Sequence, residues 1–392
     1  MVRILKKLLP KPLKKLIFKS IEMTFSCLKV KPNRILLMSY CGKRMDCNPK
    51  AVYEYMKEKY EGHYQFIWAL NDDVAVTEAG MTRVRPWSLT FYYYFYTSAF
   101  VIVNDYFWKE FKPRRSAKYF ILWHGLLSFK CLGLLRPNAD PLEIEGCRTD
   151  AKNFDYIVCS SEIEADRIRQ FYGFEENKIV SIGLPRTDIF FQPDKIVESR
   201  NKVLSFGGIK EGKKLILYAP TYRRHYGAAD YRLDIEAFAQ KVSDDYVLGV
   251  RIHHFTYEKY PIPDKWSHRV VDFSFYPDVQ ELLMAADILI TDYSSIFLDY
   301  SYLMRPVVFY AYDYDQFVKE EGQFLFDYHS FVPGPVVENM EELIDVLQNI
   351  DVCYTQYVNK QQKILAMLDS YRDGKATERF VQFMLQKASQ EG

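Results

Sequence analysis

The sequence holds no CxxC pair, no GxxxxGKS or GxxxxGKT loop, no GxGxxG, no HExxH and no GxSxG. These absences exclude the phosphate-loop nucleotidases, the glycine-rich dinucleotide fingerprint, the HExxH zinc peptidases and the serine hydrolases built on a nucleophile elbow. The seven cysteines are odd in number and spaced without pairs. A disulfide framework or zinc site therefore has no support, and a reducing compartment fits. No stretch supplies the about 20 mostly apolar residues that cross a bilayer. Residues 86–103 carry no charge but include four tyrosines, two serines and two threonines. They read as an aromatic helix over 89–96 and a core strand over 100–103. The body contains no internal repeat and no low-complexity tract.

What is present is an ordinary globular composition in an uneven charge distribution. With 392 residues, 48% hydrophobic and 26% charged, the chain is too long for one core and suits two domains. The aromatic share, with 31 tyrosines, reads as buried rings. Residues 1–34 hold ten Lys/Arg and one acid, Glu22, which leaves the remainder at −8. A basic arm on an acidic body argues against a nucleic-acid partner, which would demand positive charge across the folded surface. Within residues 1–32, lysines interleave with Leu5, Leu8, Leu9, Leu13, Leu16, Ile17, Phe18, Ile21 and Phe25. Lysine interruptions and the lack of a small-residue cleavage site exclude a secretory signal. An amphipathic segment broken by Pro10 and Pro12 is expected to lie on an anionic membrane surface, or else to dock on the protein itself.

From residue 33, short apolar runs alternate with helical patterns. Strands are expected at 35–38, 66–70, 100–103, 119–123, 156–159 and 178–182, with helices over 49–60 and 162–172. After a loose, charged stretch at 190–212 the alternation restarts, with strands at 214–218, 246–252, 288–291 and 306–310. Buried strands separated by helices imply parallel sheets covered on both faces, in two doubly wound domains of 33–195 and 196–392. Such domains place ligands at the carboxyl ends of their strands.

Chemistry-bearing residues collect at those ends. Thr291, Asp292, Ser294 and Ser295 stand where a buried strand gives way to a helix, and their types suit either an ordinary cap or a phosphate cradle. Arg251 and His253 follow a second strand, Arg for a forked phosphate contact and His as a donor to phosphate oxygen. His124 and Gly125 close a third, where an imidazole could take a hydroxyl proton. Gly183-Leu184-Pro185-Arg186-Thr187-Asp188 could be a hinge that aims Arg186 at a cleft, or a turn and helix cap. Asp313-Tyr314-Asp315 resembles an acidic metal pair but reads as a loop, so no metal is assigned.

Taken together these residues say more. Residues 278–313 (DVQELLMAADILITDYSSIFLDYSYLMRPVVFYAYD) resemble the CDP-glycerol glycerophosphotransferase family of teichoic-acid and capsule polymer enzymes. So do GKRMDCNPKAVYEYM at 42–56, Trp123-His124-Gly125, the stretch 183–188, YAPTYR at 218–223, and Arg251-Ile252-His253. The likeness implies a GT-B-like fold, two Rossmann-like domains facing a cleft, with 33–195 on the acceptor side and 196–392 binding the CDP donor. It implies His124 and His253 as catalytic residues, His124 being the general base. It implies His253, Arg251, Thr291, Ser294 and Ser295 at the donor pyrophosphate and Asp292 also on the donor side, with Thr221 and Arg223 lining the cleft and Gly125, Lys130, Arg186 and Asp188 toward the cleft or acceptor. The donor would be CDP-glycerol or CDP-ribitol, no further cofactor being assigned. The acceptor would be a lipid-linked glycan or polyol-phosphate polymer at the cytoplasmic face of the membrane. The alternative expectation is a GT-B glycosyltransferase using a nucleotide sugar for a cell-surface glycan. Two departures from the family pattern stand out: Leu126-Leu127-Ser128-Phe129-Lys130 after the HG pair, and His254 where the family has proline.

Overall fold

The structure is a computed structural model that describes residues 11–74, 78–107, 111, 113–127, 129–136, 139–223, 231–252 and 260–389. The candidate residue His253, together with His254, lies outside the described residues, as do Ser128 and the first ten residues of the arm.

Two parallel sheets form the framework. The first contains β1 (Lys31–Met38), β2 (Gln65–Ala69), β3 (Met81–Val84), β4 (Ser98–Val103), β5 (Lys118–Ile121), β6 (Tyr156–Cys159) and β7 (Ile179–Ser181). Their order is β3-β2-β1-β4-β5-β6-β7, and every pairing is parallel. The second contains β8 (Lys214–Tyr218), β9 (Tyr246–Val250), β10 (Val270–Asp272), β11 (Ile288–Thr291), β12 (Val307–Tyr310) and β13 (Val336–Val337). Its order, β10-β9-β8-β11-β12-β13, repeats the same winding. Strands buried on both faces need continuous apolar sequence, and Ser98-Ala99-Phe100-Val101-Ile102-Val103 is buried throughout. The uncharged segment thus divides as the composition suggests, into a helix, Leu89–Thr97, and the central strand β4. Among the described residues no helix is long and apolar enough to cross a membrane.

The chain divides into two compact units. The first is Met1–His124, Gly133–Arg186 and Tyr371–Gly392; the second is Gly125–Leu132 and Thr187–Ser370. This differs from a single cut at residue 195, because two segments leave the half in which they lie in sequence. In the second unit Phe129 packs among Phe297, Phe324 and Phe331, and Lys130 bridges antiparallel to Phe324. The last helix, Ala376–Ser389, belongs to the first unit: Phe380 meets Phe120 edge-on, and Arg379 Nε donates to the Ile182 carbonyl at 2.9 Å. Gly183 (φ 89°) is required where this helix arrives, since a Cβ there would lie 2.9 Å from that of Ala376.

Residues Lys11–Ser26 form a helix. It docks on the helix Leu89–Thr97, with Phe25 edge-on to Tyr93 and the Tyr96 hydroxyl donating to Glu22 at 3.3 Å. Leu16 and Met23 stay 61% and 68% exposed.

Candidate active site

In an open parallel sheet the crevice for a ligand opens where the strand order reverses. In the first unit that point lies between β1 and β4. Past the end of β1, Tyr40 (φ 46°), Cys41 (φ 53°) and Cys47 (φ 62°) all adopt the left-handed backbone that non-glycine residues rarely take. Their turn is fixed from the neighbouring strand end, where Asn104 Oδ1 accepts the Tyr40 N–H at 2.8 Å. His124 lies three residues beyond β5. Its Nδ1 is 2.8 Å from the Asn104 carbonyl oxygen. A carbonyl can only accept, so Nδ1 carries the proton and the basic lone pair sits on Nε2. Trp123 stacks on the ring at 4.4 Å, and Tyr40 lies across it at 5.3 Å.

The backbone of His124 is clamped as well. Asn48 Nδ2 donates to the carbonyls of Leu122, at 3.1 Å, and Trp123, while its Oδ1 accepts the Arg186 N–H at 2.8 Å. Arg186 is buried, and its Nη1 donates to the His124 carbonyl. Arg186 therefore supports the imidazole rather than reaching out from it. Burial pushes the Cys47 thiol up, Arg186 pulls it down only in part, and it remains protonated. A nucleophilic thiolate is excluded there.

The second unit repeats the arrangement at its own reversal point, between β8 and β11. Asp292, fully buried after β11, accepts from the Thr221 N–H (2.8 Å), the Thr221 hydroxyl (2.6 Å) and Arg223 Nη1 (2.7 Å). Arg223 also forks onto Asp313, Nε to Oδ2 and Nη2 to Oδ1, both at 2.7 Å. The Tyr293 hydroxyl donates to Asp313 at 2.9 Å. Burial alone would drive the guanidinium toward its neutral form, but Asp292 and Asp313 outweigh it and raise its pKa. Thr291 donates its hydroxyl to the Ala219 carbonyl at 2.8 Å. Thr221, Arg223 and Asp292 are thus brought together and bond to one another, while Thr291 bonds to the adjoining strand end at Ala219. In this arrangement they build the strand ends.

Ser294 Oγ accepts the Ile296 N–H at 3.3 Å, and both Ser294 and Ser295 are partly exposed at the start of the helix Ile296–Tyr300. Arg251, after β9, is buried, with Nη1 donating to the carbonyls of Phe273 (3.2 Å) and Tyr276 (2.8 Å). Gly125 opens the segment that joins the second unit, and Lys130 Nζ lies 5.8 Å from the Phe317 ring centre. Asp188 is buried in the second unit. Sequence reasoning missed Asn48 and Asn104, and it weighed Asp313 as half of a metal pair where the structure makes it the partner of Arg223. Asn104 was the most findable, as a polar residue directly after an unbroken apolar strand.

Two doubly wound units, with imidazole at one reversal point and hydroxyl, carboxylate and guanidinium groups at the other, are an arrangement that suits a nucleotide-dependent transferase. The chain belongs to the CDP-Glycerol:Poly(glycerophosphate) glycerophosphotransferase family, which it matches over residues 20–386. It is 32% identical to the teichoic acid glycerol-phosphate transferase of Staphylococcus aureus, across 94% of this chain and 98% of that one. It is 30% identical to the teichoic acid poly(glycerol phosphate) polymerase of Bacillus subtilis, across 85% of this chain but 46% of that one. The solved structure of the wall teichoic acid polymerase TagF, recorded with CDPG after a soak, superposes with a TM-score of 0.85 at 25% identity, covering 97% of this chain and 96% of that one. The expected GT-B-like pair of domains is therefore observed, and the nucleotide-sugar glycosyltransferase alternative is not favoured.

Proposed function

We propose that this protein transfers glycerol phosphate from CDP-glycerol to a hydroxyl of a lipid-linked or polymer acceptor, releasing CMP, in teichoic-acid-like or capsular polymer synthesis. The observation that carries the reading is the tautomer of His124, whose Nδ1–H is committed to the Asn104 carbonyl so that Nε2 is the base. Nε2 takes the acceptor hydroxyl proton as the oxygen attacks the phosphorus next to glycerol. A new P–O bond forms, the P–O bond to CMP breaks, and CMP leaves with the electron pair. Charge gathers on phosphate oxygens, which fixed N–H and O–H donors stabilise. Ser294, Ser295, Arg251 and His253 are the proposed donor contacts, with Thr221, Arg223, Thr291 and Asp292 holding the strand ends that present them.

Purified protein given CDP-glycerol and a lipid-linked acceptor should release CMP, and His124→Ala should lower kcat at least about a hundredfold. CMP release from neither CDP-glycerol nor CDP-ribitol would overturn the reading. Turnover with a UDP-sugar instead would restore the glycosyltransferase.

The arm places the enzyme, in this proposal, peripherally at the cytoplasmic face of the membrane. Ten Lys/Arg within residues 1–34 and the exposed Leu13, Leu16, Ile17 and Met23 support it. The protein should sediment with phosphatidylglycerol vesicles and not with phosphatidylcholine vesicles. Changing Lys14, Lys15 and Lys19 to Glu should release it, and sedimentation unaffected by those changes would count against the arm.

A further inference from the structure

One acidic group near His124 has no part in the reaction as described. The carbonyl of Asn104 fixes which nitrogen carries the proton, but the Asp105 carboxylate approaches the same nitrogen, with Oδ1 4.0 Å from Nδ1. That is beyond hydrogen-bond range, yet close enough for opposite charges to interact appreciably, since both side chains are only partly exposed. Asp105 is also held in place, because its Oδ1 accepts the N–H of Tyr106 at 2.8 Å.

We infer that Asp105 is a positioning residue that acts through His124, its carboxylate stabilising the imidazolium formed when Nε2 accepts the acceptor's proton. The inference rests on His124 being the base. The proton moves from the acceptor hydroxyl to Nε2, the ring gains one positive charge, and Nδ1–H stays on the Asn104 carbonyl. No bond to Asp105 forms or breaks; the carboxylate supplies negative charge where positive charge appears. The other charged and titratable groups about the ring come from different elements. Arg186, after β7, donates to the His124 carbonyl and opposes protonation. Tyr40, after β1, lies across the ring, with Cys47 and Asp46 behind it.

The test is a titration of the His124 ring by NMR on histidine-labelled full-length protein, with the resonance assigned by its loss in His124→Ala. Asp105→Asn should lower the midpoint by about half a pH unit or more, and Asp105→Glu should recover part of it. The acid limb of the CMP-release profile should move the same way, to lower pH, with KM for CDP-glycerol unchanged. A midpoint in Asp105→Asn equal to that of the native protein overturns the inference, whatever happens to activity. Should His124→Ala retain full turnover, the assignment of the base fails first and the inference falls with it. Loss of turnover in His124→Ala beside an unmoved Asp105→Asn midpoint overturns the inference alone.

Discussion

Asn48 shows how much one side chain can organise. Its amide joins the backbone after β5 to that after β7, through Leu122, Trp123 and Arg186, while Asn48 itself opens the helix Cys47–Lys59 after β1. A buried amide with all its partners is stabilising, and its removal leaves those partners unsatisfied. Asn48→Ala should therefore cost about 1–3 kcal/mol of unfolding free energy. It should also lower kcat for CMP release more than it raises KM for the donor, because it loosens the imidazole and touches no nucleotide group. A denaturation curve and a steady-state assay check both parts, and unchanged kcat would show that His124 is held without it. Nothing in the local sequence distinguishes Asn48 from an ordinary helix-start asparagine. Its partners lie more than seventy residues away.

At the scale of elements, the two reversal points differ in character. At the first an imidazole is held by a backbone carbonyl, that of Asn104; the second is built on an ion-paired cluster of Arg223, Asp292 and Asp313. Removing one partner of a buried ion pair leaves an uncompensated charge, so Asp313→Ala should cost roughly 3–5 kcal/mol. Arg223→Lys should also destabilise, because an ammonium cannot reproduce the two-pronged contact with Asp313. Urea denaturation would register either loss, and an unaltered midpoint in both variants would show that the cluster adds no stability. The strands and the helix-start hydroxyls were legible because period and residue type are local properties. The pairing of Arg223 with Asp313 was not, because it joins the ends of β8 and β12 across ninety residues. The helix after Thr291 is short: Ile296–Tyr300 makes about a turn and a half, continued by a tighter turn to Leu303.

For the whole molecule, buried thiols tie stability to pH. Burial, aided by nearby acids, pushes Cys147 and Cys159 up to about 12 from an ordinary value of 9.0. Below pH 9 both thiols are protonated whether the chain is folded or not, and their contribution is fully present. Between 9 and 12 only the unfolded chain gives up these protons, so stability falls by about 1.4 kcal/mol per pH unit for each thiol. The urea midpoint should drop between pH 8 and pH 10.5, and less so in a Cys147→Ala/Cys159→Ala variant. Identical pH dependence in that variant would remove the thiols as the cause.

The sequence by itself determined the two parallel sheets, the central uncharged strand, the family motifs and the strand ends on which His124 and Thr291–Asp292 stand, because apolar period and residue chemistry are written locally. Only the tertiary structure decided that Gly125–Leu132 and Tyr371–Gly392 change units. It also decided that Arg223 and Arg186 face inward to partners, and that Asn104 sets the His124 tautomer. Each of those outcomes depends on which distant strand ends lie side by side, and strand order is a property of packing rather than of any single stretch of chain.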